Sequence, residues 1–453
     1  MSFRDPPRTS EPAPADAKPH RAIILTSYQT GATRGKNLGV PGYSYDLVAQ
    51  LFVPLLARWG EVIQVAREAS ALETAVADAH RRGLAPVHVS FLPFQDFCPA
   101  PSVANVIVPA WEFPDVPDHV FDGNPSNDWV ATARQCDLVL VGGQFTVDAF
   151  QRAGIRTPIR IVPVPTPEEY FRIPPWRADQ QVRIPCSAYV FPHPDVPAQA
   201  MWDAPETIDR RDAGSSGQTS TGGTGVSPVD RLRDKMRLTY RQYLKPLVPP
   251  AAHTLLKVLM RKAGRNAWDR YVESCWRPHV DLSGVVYTCI FNPNDGRKNW
   301  EDLLTGFVWA LRDCADATLV VKLVTKNRTW IDRILMYYRG VGLTHRCKVV
   351  FITDYLPNEH MLDLVRASAC YLTTTRAEGN CLPVMNYLAA GRPCVSPCHT
   401  ALSDYFTNEM GFIVETHPEP AIWPHDSRLR FRTTWGRVVW TSLVEQLRRS
   451  YHV

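Results

Sequence analysis

Residues 373–397, TTTRAEGNCLPVMNYLAAGRPCVSP, decide how this chain is built. Tyr371-Leu372, just before them, closes a buried strand. Glu378-Gly379-Asn380 is turn chemistry, because Gly and Asn tolerate backbone conformations that other residues avoid. Leu382-Pro383-Val384 opens a helical pattern, with Pro383 in the first turn, where its missing N–H is no loss. Leu388, Ala389 and Ala390 continue the helix, and Gly391 followed by Pro393 ends it. Val395-Ser396 is then a short strand. The unit reads strand, sharp turn, helix, strand, with a lone acid, Glu378, at the turn. Such a helix start presents free N–H groups to an anion, commonly a phosphate.

The same alternation runs upstream. Residues 285–291, VVYTCIF, form an apolar strand, and Asp295-Gly296 is a turn. Residues 300–311 make an amphipathic helix, 319–324 and 349–352 are strands, and 358–367 is a helix. A last helix is expected over 435–451. Strands alternating with helices predict a doubly wound parallel sheet. Arg297-Lys298 stands at a strand end beside a turn, which suits a diphosphate. The pair is equally compatible with an ordinary basic surface.

A second such sheet is predicted over residues 21–176. Strands fall at 22–26, 61–65, 87–91, 106–108, 137–141 and 159–164, with helices at 45–59 and 145–153. The loop after the first strand, TGATRGKNLGVPGYS, carries Gly31, Gly35, Gly39 and Gly42. It has neither the dinucleotide fingerprint nor the Walker pattern. It is a flexible loop or one that approaches a phosphate. Residues 109–117, PAWEFPDVP, follow a buried strand. Trp111 and Phe113 either line a sugar site or belong to the core. Glu112 correspondingly hydrogen-bonds a hydroxyl, acts as an acid/base group, or is exposed. His88, on a strand, fits a buried structural histidine better than a catalytic one.

Composition agrees with a globular chain of two cores: 453 residues, 45% hydrophobic and 21% charged. No apolar run reaches the ~18 residues that span a bilayer. Residues 1–20 lack an apolar core and read as a disordered tail, not a signal peptide. Eleven cysteines show no zinc spacing. Cys98, Cys136, Cys289 and Cys370 read as buried, and reduced thiols place the chain in the cytoplasm. Residues 177–283 break the pattern. Twelve of the fifteen residues from 213 to 227 are Gly, Ser or Thr, a linker. Residues 231–270 carry a net charge of +9 against +5 for the whole chain. With Leu255, Leu256, Val258 and Leu259 as an apolar face, this segment can lie on an anionic membrane surface or pack as a solvated helix. No nucleic-acid-binding module accompanies the charge, so no nucleic-acid partner is expected.

The 373–397 stretch resembles the donor-binding signature of the retaining, nucleotide-sugar glycosyltransferases with the GT-B fold. That signature reads Glu, Gly, two residues, Leu-Pro, then a second Glu eight positions after the first. Glu378, Gly379, Leu382 and Pro383 match, while Asn386 stands at the second acid. Lys298 matches the family's diphosphate lysine. The arginine often found six positions earlier is replaced by Asn292, and Arg297 is the alternative source of charge. The resemblance covers most of residues 285–412 and, more faintly, 106–170.

It implies a GT-B α/β fold of two Rossmann-like domains facing a cleft. Residues 21–176 would be the acceptor-side domain and 284–453 the donor-side domain, with a linker and basic helical insertion at 177–283. It implies transfer from a nucleoside-diphosphate sugar to a glycan or lipid-linked acceptor, in polysaccharide biosynthesis, with retention and with no metal or cofactor. Glu378 would hold the sugar hydroxyls, and Lys298 with Arg297 would neutralise the diphosphate. Gly39 and Gly42 would approach the diphosphate. Gly379, Asn380, Cys381, Leu382 and Pro383 would form the anion-binding turn. Asn386 would meet the ribose, and Tyr355, in segment 353–356, would flank the base. Family members continue past the equivalent of Val453 with a helix that returns to the first domain, so the C-terminal domain reads as shortened. Asn386 and that ending keep open a noncatalytic sugar-nucleotide-binding protein, or a membrane-docked scaffold, on the same fold.

Overall fold

The computed structural model describes residues 20–28, 42–192 and 267–452. The N-terminal tail, Gly39, the Gly/Ser/Thr linker and nearly all of the basic segment 231–270 lie outside the described residues. The chain divides into two compact units, Met1–Val190 with Arg277–Val453, and Phe191–Trp276. The described part of the second unit contains helix Ala267–Ser274.

The first unit holds two Rossmann-like sheets. One comprises β1 (Arg21–Thr26), β2 (Glu61–Val65), β3 (Ala85–Ser90), β4 (Ala104–Ile107), β5 (Leu138–Val141) and β6 (Ile159–Ile161). Their order is β2-β1-β3-β4-β5-β6, with parallel pairing throughout. The other comprises β7 (Val182–Phe191), β8 (Trp276–Leu282), β9 (Val285–Phe291), β10 (Ala317–Leu323), β11 (Lys348–Ile352), β12 (Cys370–Leu372), β13 (Cys394–Pro397) and β14 (Gly411–Val414). Its order is β14-β13-β12-β9-β10-β11-β7-β8. From β9 the chain builds outward through β10 to β11, then returns and builds the other way through β12, β13 and β14. These six strands pair in parallel. The order reverses between β9 and β12, and open α/β sheets bind ligands outside the carboxyl ends of the strands at such a point.

The apolar runs explain these strands. A parallel strand covered by helices on both faces is apolar nearly throughout. β10 is buried at every position. Its one charge, Lys322, donates from Nζ to the Leu323 carbonyl at 2.8 Å. Burial, partly opposed by Asp354, pulls the Lys322 pKa down to about 8.

Two regions differ from expectation. The second sheet does not start near residue 284, because β7 and β8 extend its edge. Their burial alternates along much of the strand, and both contain a proline. This sequence lacks the apolar run of a central strand. Residues 435–438, expected to open the last helix, are not helical either. They belong to β16 (Phe431–Val438), antiparallel to β15 (Thr416–Ile422), and the helix begins only at Trp440. Thr433, Thr434 and Val438 favour an extended chain, and Gly436 weakens a helix.

The segment joining β15 to β16 explains the aromatic segment at 109–117. Ala421 and Trp423 pack into one core with Trp111, Phe113, Trp129 and Phe150. Trp423 Nε1 donates to the Asp115 carbonyl at 3.2 Å, and the Arg428 guanidinium lies 4.3 Å from the Phe121 ring centre. Trp111 and Phe113 are therefore core residues, at 3% and 0% exposure, and do not line a sugar site. All eleven cysteines are free thiols; Cys136, Cys289 and Cys370 are buried and Cys98 is half-buried. No helix among the described residues is long and apolar enough to cross a membrane.

Trp423→Ala removes a side chain at 3% exposure that both sheets' domains depend on. It should cost about 3–5 kcal/mol of unfolding free energy. Met336→Ala, at a position 65% exposed, should cost about 0.5 kcal/mol or less. Urea unfolding monitored by far-UV circular dichroism checks both, and equal losses would contradict the packing described.

Candidate functional site

The loops leaving β9 and β12 are stitched together. After β9, Asn292 Oδ1 accepts from Asn294 N at 3.1 Å, and Asp295 Oδ1 accepts from Arg297 N at 3.1 Å. These bonds shape the turn that carries Arg297 and Lys298. After β12, Arg376 N donates to the Arg297 carbonyl at 2.7 Å, and Thr374 Oγ1 donates to the Asn299 carbonyl at 2.8 Å. The result brings Lys298 Nζ to 2.6 Å from Glu378 Oε1, with side chains 21% and 8% exposed. Burial works against the charge on Lys298, but the facing Glu378 carboxylate outweighs it and holds the ammonium above its usual pKa.

Arg297 has four contacts. Its Nε and Nη2 donate to the two Asp295 carboxylate oxygens at 3.1 and 2.6 Å. Its Nη1 donates to the Ala377 carbonyl at 3.1 Å and lies 2.9 Å from Glu112 Oε1. Burial and these carboxylates act oppositely on the guanidinium, and the carboxylates prevail, raising its pKa. For Asp295, burial is overcome by Arg297 and Lys298, which hold the carboxyl below its usual range. For Glu112, burial prevails over Arg297 and raises the carboxyl. Glu112 is thus neither exposed nor free; it is the counter-ion of Arg297.

The helix start is set by a left-handed residue, though not the expected glycine or asparagine. Cys381 (φ 56°) precedes helix Leu382–Ala389, and Pro383 lies in its first turn. Gly379 lies against the Trp111 backbone and the Ala110 methyl. The Asn380 carbonyl accepts from the Tyr405 hydroxyl at 2.9 Å, and Glu378 N donates to Thr400 Oγ1 at 3.0 Å. A cavity of about 20 Å³, lined by Lys298, Glu378, Tyr371, Cys381 and Pro383 among others, has room for one water. Asn386 is half-buried in the same helix.

The first sheet's domain meets this turn at the carboxyl ends of its own strands. A side chain at Gly142, just past β5, would collide with the Asn380 amide. The Asp404 carboxylate accepts from Phe145 N at 3.1 Å. Gly42, left-handed at φ 88°, begins helix Tyr43–Leu56. On that helix the Tyr45 hydroxyl bonds both the N–H and the carbonyl of Ala110 at 3.1 Å, two residues from Glu112. The two sheets thus face each other across their carboxyl ends, which is the GT-B architecture.

Lys298, Arg297, Glu112, Glu378, Gly379 and Asn380 therefore come together. Tyr355 is 38% exposed on the loop after β11. His88 is fully buried between Thr26 Oγ1 (2.9 Å) and Asn105 Oδ1 (2.8 Å), a structural role. Sequence reasoning missed Asp295, Gly142, Thr400, Asp404 and Tyr405 as site residues. The Gly142-Gly143 pair at a strand end and the Asp295-Gly296 turn were the local signals; Thr400, Asp404 and Tyr405 act through contacts distant in sequence.

No protein-family model matches the chain, and no curated protein matches it. Among solved structures it is similar to HepE of Anabaena in complex with UDP, at 11% identity, covering 95% of this chain and 93% of that one, with a TM-score of 0.43. It is also similar to sucrose-phosphate synthase of Thermosynechococcus elongatus, at 11% identity, 95% and 94% coverage and a TM-score of 0.47. A third is the α,α-trehalose 6-phosphate synthase of Burkholderia multivorans, at 11% identity, 95% and 90% coverage and a TM-score of 0.46. The fold assignment rests on the strand orders.

His88 and His399 are both held neutral chiefly by burial; the Asn105 hydrogen bond opposes this at His88 and the Glu378 charge at His399. A histidine whose folded pKa is depressed contributes stability above its unfolded value, about 6.5, and loses it as pH falls below that. The urea midpoint should therefore fall between about pH 7.5 and pH 5.5. A midpoint unchanged over that interval would contradict this reading.

Proposed function

We propose that this chain is a glycosyltransferase that moves a sugar from a nucleoside-diphosphate sugar to a glycan or lipid-linked acceptor, with retention of configuration and without a metal. The observation that carries the reading is the meeting of Lys298 and Glu378 at 2.6 Å where the strand order reverses, beside a helix start. An ammonium there neutralises the charge that builds on a departing diphosphate. The N–H groups at the start of helix Leu382–Ala389 add to that stabilisation. Glu378 accepts hydrogen bonds from the donor sugar. Asn386 meets the ribose by hydrogen bonding without charge. The acceptor enters from the first sheet's side, and closure aligns its hydroxyl with the anomeric carbon. A cytoplasmic location, with the basic segment 231–270 on an anionic membrane surface, completes the proposal. A sugar-nucleotide-binding protein without turnover is the second reading, favoured by Asn386 at the family's second acid.

Thermal unfolding with UDP-, GDP-, ADP- and dTDP-sugars tests the site. A donor at a hundredfold excess over its Kd stabilises the folded state by about 2.7 kcal/mol. One nucleotide should do so selectively, and Lys298→Ala and Glu378→Ala should abolish the shift. Lys298→Ala should also lower transfer about 10²–10³-fold, the scale of removing one transition-state donor. A folded protein that none of these donors stabilises would overturn the proposal, and stabilisation without transfer or donor hydrolysis would leave the second reading.

A further inference from the structure

We infer that Glu112 is an autoinhibitory carboxylate, holding the face of Arg297 that a donor diphosphate would take, so that nucleotide binding requires the Glu112–Arg297 pair to open. This rests on the donor-site reading above and adds a regulatory contact to it.

The geometry of Arg297 separates a fixed side from an exchangeable one. Asp295 engages Nε and Nη2 through both its oxygens, and the Ala377 carbonyl takes Nη1. Both partners belong to the loops after β9 and β12. They orient the guanidinium whatever the other domain does. Glu112 is different. It comes from the loop after β4 in the facing domain, and meets the same Nη1 at 2.9 Å. A phosphate oxygen accepts from a guanidinium as a carboxylate oxygen does. It can replace Glu112 while Asp295 keeps Arg297 aimed.

Charge makes that replacement necessary. The cluster holds two cations, Arg297 and Lys298, and three carboxylates, Glu112, Asp295 and Glu378. Fully ionised it carries a net charge of −1, and an incoming diphosphate is more negative still. Glu112 and Arg297 are 15% and 18% exposed, so water screens their interaction weakly. Nor can the Glu112 backbone withdraw independently. Trp111 and Phe113 on either side are buried in the core, and the Tyr45 hydroxyl pins Ala110 by both its N–H and its carbonyl. With its backbone pinned on both sides, the carboxylate leaves by parting of the two domains, which loosens the segment that carries it.

Titration calorimetry with UDP, GDP and ADP on the full chain tests this. Glu112→Gln keeps the shape and removes the charge. It should bind the preferred nucleotide at least about tenfold more tightly than wild type. Hydrogen exchange on the wild-type protein gives a second readout that needs no variant: saturating nucleotide should speed amide exchange in residues 109–113. Unchanged or weaker affinity in folded Glu112→Gln, or unchanged or slower exchange in that segment, would overturn the latch. The donor site would then still stand if wild-type binding is lost in Lys298→Ala. Absence of binding by any folded form would remove both.

Discussion

A largely buried ion pair between residues 80 positions apart, Lys298 and Glu378, is the contact on which the arrangement of this protein turns. Removing two charges from water costs several kcal/mol each, and the attraction repays this only when the geometry is fixed and the remaining polar groups are satisfied. The fold meets both conditions. The sheet places β9 and β12 side by side although β10 and β11 intervene in the chain. Backbone and threonine hydrogen bonds then tie residues 374–376 to residues 297–299. Lys298 and Glu378 are thus presented from two rigid strand ends rather than from free loops. Without the reversal of strand order these ends would not be neighbours.

Much of this was legible in the sequence, for a physical reason. Strands buried on both faces are apolar nearly throughout, so β9 and β10 announce themselves, and so do helices Trp300–Leu311 and Asn358–Ala367 with their apolar stripes. β7, β8 and β16 do not. β8 is an edge strand, β7 lies next to it, and β16 belongs to a two-stranded pair; all three have exposed positions, and what makes them strands is a partner supplied by another part of the chain. The site divides in the same way. Lys298 and Glu378 are marked by their positions at strand ends beside turns. The direction of Arg297 is not, because Asp295 two residues away and the Ala377 carbonyl eighty positions further on decide it together. Trp111 and Phe113 were ambiguous because an aromatic ring serves a sugar or a core equally well. The residue that settles the matter, Trp423, lies about three hundred positions further on, bonded to Asp115.

Backbone strain follows the same map. Non-glycine residues with left-handed backbones are uncommon and cost of order 1–3 kcal/mol each, so they persist where surrounding contacts over-determine them. Three of them border the candidate site: Asn299 (φ 47°), Cys381 (φ 56°) and Thr400 (φ 53°). Each is held by a partner within the site. Arg376 donates to the Asn299 amide oxygen at 3.1 Å, the Tyr405 hydroxyl lies 3.5 Å from the Cys381 carbonyl, and Glu378 N donates to Thr400 Oγ1 at 3.0 Å. Asparagine tolerates this conformation because its short side chain bonds locally. Cysteine and threonine lack that tolerance, so their strain has to be offset by packing and by these bonds.

The strain and the ion pairs have a common consequence. Left-handed residues that follow Lys298 and Glu378 in the chain sharpen the turns, and sharp turns let both charges reach the same point at the strand ends. The wall opposite is equally constrained, since Gly142 admits the Asn380 amide only because it has no side chain. Sites that must recognise a charged ligand often violate local preferences and are supported by rigid structure around them. Here the support is the aromatic core of the first sheet's domain, extended by Ala421 and Trp423 from the other domain. That core anchors the segment bearing Glu112. The residues that stabilise the meeting of the two domains are therefore the neighbours of those that would have to release for a diphosphate to enter, and domain stability and site access are set by one shared group of contacts.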